Sequence, residues 1–100
     1  MSHENVEQGV LLKIVTPTGE AATINCESVQ LKTPDGVDGK NGGWIGIRRG
    51  HVDALLAICE GPVIALKDGK EISRILLGEG FASVKENVVT VLTQSARTNE

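Results

Sequence analysis

The chain has 100 residues, a length that suits one domain with a modest hydrophobic core. Hydrophobic residues make up 40% of it and charged residues 23%, as in ordinary globular proteins, so we expect the chain to fold. A net charge of −3 and an aromatic content of 2% disfavour nucleic-acid binding, which uses clustered basic residues and stacking rings. Because Trp44 and Phe81 are the only aromatic residues, the core is predicted to consist of Val, Ile, Leu and Ala.

Apolar patterning and the two cysteines indicate the compartment. The longest apolar runs, residues 54–58 and 75–77, are far shorter than the roughly 20 residues that cross a bilayer. Residues 1–8 are polar and acidic, unlike a signal peptide, so we expect a cytoplasmic protein without membrane insertion. Cys26 and Cys59 lie in apolar runs and are interpreted as small buried hydrophobic residues in a reducing compartment.

Short apolar or alternating runs bounded by turn residues predict a series of strands. In chain order they are residues 10–16, 21–26, 28–33, 44–47, 54–59, 63–67, 70–77, 81–85 and 88–93. Asp68-Gly69 is suited to a two-residue type I′ turn, and Glu86-Asn87 marks a second hairpin. Eight or nine short strands of this kind predict an all-β protein, an antiparallel sandwich or barrel.

Three other segments affect this interpretation. Residues 34–43 contain four glycines and one proline and predict a loop. Residues 54–59 could form a helical turn by periodicity alone, but their short length between glycines favours a strand. Residues 97–100 are predicted to be a frayed tail.

Candidate catalytic and metal sites are weak. His51 lacks a nucleophile or further ligands at a suitable spacing, so it is interpreted as a turn residue whose ring bonds neighbouring backbone. Asp35, Asp38 and Asn41 lack the alternating oxygen ligands of a calcium loop. The glycines of residues 78–84 are assigned to a strand crossover, since no downstream kinase motif accompanies them. The sequence therefore predicts no catalytic, cofactor-binding or metal-binding residue.

Trp44, Arg48 and Arg49 form the most notable basic and aromatic group. One interpretation is a solvated turn. The other is a partner contact, because Trp and Arg are over-represented at the energetic centres of protein interfaces. Both alternatives remain open on these residues alone.

The spacing of residues 43–61, GWIGIRRGHVDALLAICEG, resembles the signature of the epsilon subunit of F-type ATP synthases, called delta in mitochondria. Three further stretches agree with that family in order and spacing: residues 11–20 (LLKIVTPTGE), 26–33 (CESVQLKT) and 79–96 (EGFASVKENVVTVLTQSA). The resemblance covers roughly residues 10–96. It implies a β-sandwich of two five-stranded sheets, preceded by a disordered tail at residues 1–9 and followed by another at 97–100.

The resemblance also implies a function and partner contacts. It predicts a non-enzymatic rotor subunit that joins the gamma subunit to the c-ring and couples ion translocation to ATP synthesis, peripheral on the inner face of the cell membrane. Thr16, His51 and Leu56 match positions on the gamma side, and Trp44, Arg48 and Arg49 match the c-ring side. The family's C-terminal helical hairpin has no counterpart in residues 1–100, so we expect neither ATP binding nor restraint of ATP hydrolysis. The alternative function is a free-standing β-sandwich that acts as an adaptor or binds a small ligand.

Overall fold

A computed structural model describes residues 9–34 and 43–98, which form ten strands in two sheets. The strands are β1 (Val10–Thr16), β2 (Gly19–Cys26), β3 (Ser28–Lys32), β4 (Trp44–Arg48), β5 (Ala54–Ile58), β6 (Gly61–Lys67), β7 (Lys70–Leu77), β8 (Gly80–Lys85), β9 (Val88–Thr93) and β10 (Ala96–Thr98). The first sheet has the order β2-β1-β9-β8-β5, and the second has the order β10-β7-β6-β3-β4. The predicted all-β sandwich is confirmed.

The two predicted tight turns are confirmed by their backbone angles. Asp68 and Gly69 have φ values of 55° and 74°, and Lys67 pairs with Lys70 around them. Glu86 and Asn87, at 50° and 66°, join β8 to β9 in the same way. Positive φ at both central residues matches the right-handed twist of the flanking strands, which is why such turns close two-residue hairpins. Residues 54–58 form a strand, so the helical alternative does not apply.

Two pairings depart from the sequence prediction. Strand β1 pairs with β9 in parallel, whereas every other strand pair is antiparallel within the part of the chain described. Strand β10 places Arg97 and Thr98 beside β7, which corrects the predicted frayed tail at these two positions. A three-residue strand carries little local signal, since its stability comes from the pairing itself.

Gly9 is buried against β2, although the predicted disordered tail included it. The rest of both predicted tails, and the loop at 34–43 apart from its two end residues, lie outside the described residues.

The core between the sheets is aliphatic, as the composition predicted. Its buried members are Val10, Leu12, Ile14, Cys26, Val29, Leu31, Ile47, Ile58, Val63, Ala65, Ile75, Leu77, Ala82, Val84, Val89 and Val91. They occupy alternate positions of their strands, so the intervening residues point away from the core. Within the described residues there is no helix long and apolar enough to cross a membrane.

The strand ends define two ends of the sandwich. Ile58 pairs with Gly80, and Gly80 pairs with Thr93, so the end of β5, the start of β8 and the end of β9 lie together. The same end of the sandwich contains the β1–β2 turn, the start of the 34–43 segment, and the connections from β7 to β8 and from β9 to β10. We call it the crossover end. The other end carries the Gly50 turn and the two type I′ hairpins, and we call it the hairpin end. Trp44 lies toward the crossover end and Arg48 toward the hairpin end.

Candidate partner-binding surfaces

The outward side of the first sheet exposes a row of apolar side chains. Leu92 of β9 pairs with Val15 of β1 on one side and with Phe81 of β8 on the other, and Phe81 pairs with Ala57 of β5. Directly opposed residues on one face of a sheet have adjacent side chains. The four side chains therefore form a continuous row across four strands. We call this row, together with Leu55 on the same side, the apolar face.

The members of the apolar face are far more accessible than ordinary core residues. Leu55 is 74% exposed, Phe81 55% and Leu92 53%. Each alternates with buried or half-buried neighbours, such as Ala82 beside Phe81 and Val91 beside Leu92, so the exposure follows from strand geometry. Contiguous exposed apolar surface costs solvation free energy, and in soluble proteins it marks interaction sites. This arrangement suits a flat contact with another protein surface.

A shallow depression adjoins the apolar face at the crossover end. Its volume is about 390 Å³, and its lining includes Val15, Pro17, Phe81 and Leu92. A neighbouring depression of about 480 Å³ shares Phe81 and reaches Cys59. Both are open surface features with mainly apolar walls, so they extend the apolar face.

The three residues predicted for the gamma side lie apart from one another. Thr16 ends β1 at the crossover end, where its hydroxyl donates to the carbonyl oxygen of Gly19 over 3.3 Å. Leu56 points inward on the edge strand β5 and packs against the core. His51 lies at the hairpin end, about 16 Å from Thr16 along the first sheet. Thr16 and Leu56 belong to the first sheet, and His51 lies in the segment between β4 and β5, so the structure does not cluster the three residues.

The turn that contains His51 is held by hydrogen bonds within the chain. The His51 amide donates to the Arg48 carbonyl oxygen at 3.1 Å, and the ring Nδ1 donates to the Val52 carbonyl oxygen at 2.8 Å. The interpretation of His51 as a turn residue is confirmed. Asn87 ties this turn to the first sheet, since its side-chain oxygen accepts from the Gly50 amide at 2.8 Å and its carbonyl oxygen accepts from the Leu11 amide at 2.9 Å.

The predicted ring-side residues belong to β4 and its following turn. Trp44 is 47% exposed and Arg48 is exposed, and both point outward from the edge strand of the second sheet. Gly46 lies between them on the same side. Four residues of strand separate the two side chains by about 13 Å. Arg49 follows in the turn and is exposed.

The titratable groups indicate structural roles. Burial raises the pKa of the Cys26 thiol to about 11, so this thiol stays protonated at neutral pH. A hydrogen bond from Arg74 lowers the pKa of Glu71, and the same bond raises the pKa of Arg74. The part of the chain that the structure describes contains no group of three or more His, Cys, Asp or Glu that could hold a metal ion.

The apolar face was not predicted from the sequence. A signal was present, because in FASVK the outward residues Phe81, Ser83 and Lys85 alternate with the buried Ala82 and Val84. Alternation alone leaves open whether Phe81 or Ala82 points to the core. The larger residue is the one that points outward here, against the usual preference for burying aromatic rings.

Comparisons with known proteins agree with this architecture. A family model described as ATP synthase, Delta/Epsilon chain, beta-sandwich domain matches residues 10–99. An ATP synthase epsilon chain of Bacillus subtilis is 31% identical over 91 residues, covering 91% of this chain and 63% of the relative. One from Lawsonia intracellularis is 33% identical, covering 91% of this chain and 62% of its own length. The chain thus spans about three fifths of the length of these relatives.

Two solved structures are similar in fold. A chain from the cryo-EM structure of Euglena gracilis mitochondrial ATP synthase, OSCP/F1/c-ring, has a TM-score of 0.72 at 18% identity. The match covers 91% of this chain and 54% of that one. A chain from the central stalk and c-ring of Tetrahymena thermophila mitochondrial ATP synthase has a TM-score of 0.65 at 15% identity, covering 89% of this chain and 66% of that one. At these identities the likeness concerns the fold.

Proposed function

The chain belongs to the delta/epsilon family of ATP synthase subunits, as a β-sandwich domain, and we propose that it is a rotor part of the central stalk. In this role it joins the gamma subunit to the c-ring and couples ion translocation to ATP synthesis without catalysis of its own. It acts at the inner face of the cell membrane, attached through its protein partners.

The apolar face carries the gamma part of this proposal. Its row of Val15, Leu92, Phe81 and Ala57 is flat, contiguous and largely free of charge, which favours a lasting protein contact. Thr16 borders the row at the crossover end, and His51 lies toward the hairpin end. Leu56 lies between Leu55 and Ala57 on β5 with its side chain toward the core, so its part in this contact is to support these two residues. We therefore assign the apolar face, with Thr16 and His51 near it, to the gamma subunit.

The proposed contact with the c-ring rests on the edge strand β4 and the turn after it. Trp44 offers accessible aromatic area, and Arg48 and Arg49 offer donors to polar loop atoms, in keeping with the composition of interface centres. A rotor part also has to transmit torque, and a close-packed aliphatic core resists deformation.

Co-expression with the cognate gamma subunit tests the proposal. We expect a complex that co-elutes in size-exclusion chromatography, at low and at high salt alike, since apolar contacts are not screened by ions. Separate elution under both conditions would contradict the stalk assignment. It would favour the alternative, a free-standing adaptor or small-ligand module, for which the depression beside Phe81 is the candidate site.

A further inference from the structure

The outward side of the second sheet is positively charged, although the whole chain carries −3. Its charged strand residues are Lys32 on β3, Arg48 on β4, Arg74 and Glu71 on β7, and Arg97 on β10. Each points outward. Its neighbours along the strand point into the core, or it pairs with an outward-pointing residue of the adjacent strand. Four cations face one carboxylate among these described strand positions, a formal charge of +3. We call this side the cationic face.

The one carboxylate on this face is already neutralised. Glu71 accepts two hydrogen bonds from Arg74, at 2.9 Å and 3.0 Å. Lys32, Arg48 and Arg97 have no ion pair within the described residues, so three positive charges stand uncompensated. Charges of one sign on one side of a protein attract a complementary surface and repel a similar one.

The spacing of the three cations indicates the size of the partner. Along the strand direction, Arg48 lies four residues, or about 13 Å, from Lys32. Across the sheet, Arg97 lies three strands, or about 14 Å, from Lys32. No single carboxylate or phosphate contacts all three at once over such distances. A broad surface with several negative charges fits them.

The residues between the cations favour a protein surface. Pro62 and Leu76 pair with each other between β3 and β10, and Trp44 pairs with Lys32 at the edge. Gly46 leaves the β4 backbone bare between Trp44 and Arg48, since nothing lies within 4 Å of a Cβ added there. Apolar area among arginines is typical of protein interfaces. Apart from Arg74, which is paired with Glu71, the three cations are spread about 13 to 14 Å apart, whereas a lipid-binding segment clusters four to eight of them.

We infer that the cationic face binds an acidic protein surface through Lys32, Arg48 and Arg97. The inference extends the ring-side contact of Trp44 and Arg48, and it rests on the proposed function where it places that partner within the rotor. Lys32 and Arg97 are its new members. The partner must supply carboxylates spaced over roughly 14 Å, opposite the three cations.

Direct binding to poly-L-glutamate, measured by calorimetry on the whole chain, tests the charge complementarity. We expect saturable binding that weakens about tenfold or more between roughly 50 mM and 300 mM NaCl. The double variant Arg48→Glu/Arg97→Glu should bind about tenfold or more weakly than the parent chain. The matched control is Lys70→Glu, an exposed reversal at the β6–β7 turn, which should change the dissociation constant by less than about twofold. If the double reversal impairs folding, Arg48→Gln/Arg97→Gln takes its place.

Other outcomes would overturn the inference. Equal weakening by Lys70→Glu would show that overall charge, not this face, governs binding. Tighter binding to vesicles of phosphatidylglycerol and phosphatidylcholine, or to duplex DNA, would identify another class of partner. Absence of binding to poly-L-glutamate would refute the charge match. Co-elution with the gamma subunit is measured separately. If the parent chain fails to co-elute with gamma, the proposed function is contradicted, whereas the inference about the cationic face still depends only on the poly-L-glutamate result.

Discussion

The two outward sides of this sandwich share one core but differ in chemistry. The apolar face exposes Leu55, Phe81 and Leu92, whereas the cationic face exposes Arg48 and Arg97 beside Trp44. An apolar contact is held by burial and is insensitive to salt, while a charged contact is screened by salt. One small domain thus presents two surfaces on which different forces would hold a partner, so each surface is tested by a separate perturbation.

The largest effect is expected where β8 begins beside β9 at the crossover end. A Cβ at Gly80 would overlap the Leu92 carbonyl oxygen and lie 2.9 Å from the Thr93 Cα, so β8 would have to move away from β9. Gly80→Ala should lower the free energy of unfolding in urea by about 3 kcal/mol. Gly46→Ala is the control, because its added methyl meets open space and should change the free energy by less than about 1 kcal/mol. Equal stabilities for the two variants would show that the backbone at Gly80 is able to shift and accommodate a methyl group without loss of stability.

The apolar face is tested next by introducing a charge. Phe81→Asp should weaken gamma binding by about 3 kcal/mol, because it removes apolar contact area and leaves a carboxylate unpaired in the interface. Ile72→Asp is the matched control, since Ile72 is 48% exposed but lies on the bulged strand β7 of the second sheet. Surface plasmon resonance with immobilised gamma subunit measures both. Equal losses for the two variants would remove the distinction between the faces.

The ring-side contact should respond more weakly. Trp44→Ala combined with Arg48→Ala should loosen attachment to the c-ring by about 2 kcal/mol, with stability and gamma binding changed by less than about 0.5 kcal/mol. Pull-down with the purified ring and thermal unfolding measure the two properties. If the double variant couples ATP synthesis like the parent, the region is a solvated turn. Unfolding of the variant would assign Trp44 a structural role.

The smallest effect concerns the turn between the two faces. Asn87→Gly keeps the positive φ but removes the oxygen that accepts from the Gly50 amide. That amide should then exchange with solvent about tenfold faster, which corresponds to about 1.4 kcal/mol. Glu86→Gly is the control, because Glu86 also has positive φ and its side chain is exposed. Asn87→Asp should restore protection, since a carboxylate also accepts the bond. Equal exchange of Gly50 in all variants would show that Asn87 does not hold the turn.

Local patterns were sufficient for the hairpins. Asp68, Gly69 and Asn87 adopt positive φ because short polar residues and glycine tolerate that region, and this preference is visible in the sequence. Glu86 lacks this preference and adopts positive φ as the first central residue of the β8–β9 turn. Strand β10 was not predictable in this way. Arg97 and Thr98 extend because β7 offers them backbone partners, and that contact spans about twenty residues.

Residue type, alternation and spacing along the chain were sufficient to predict nine of the ten strands, the tight turns, the aliphatic core and the family. The identity of neighbouring strands, and therefore which outward side chains share a surface, depends on the tertiary structure. Val15, Leu92, Phe81 and Ala57 meet only because β1, β9, β8 and β5 lie side by side. Alternation assigns a residue to one side of its own strand, but the order of strands across a sheet follows from long-range burial and pairing that no local pattern contains.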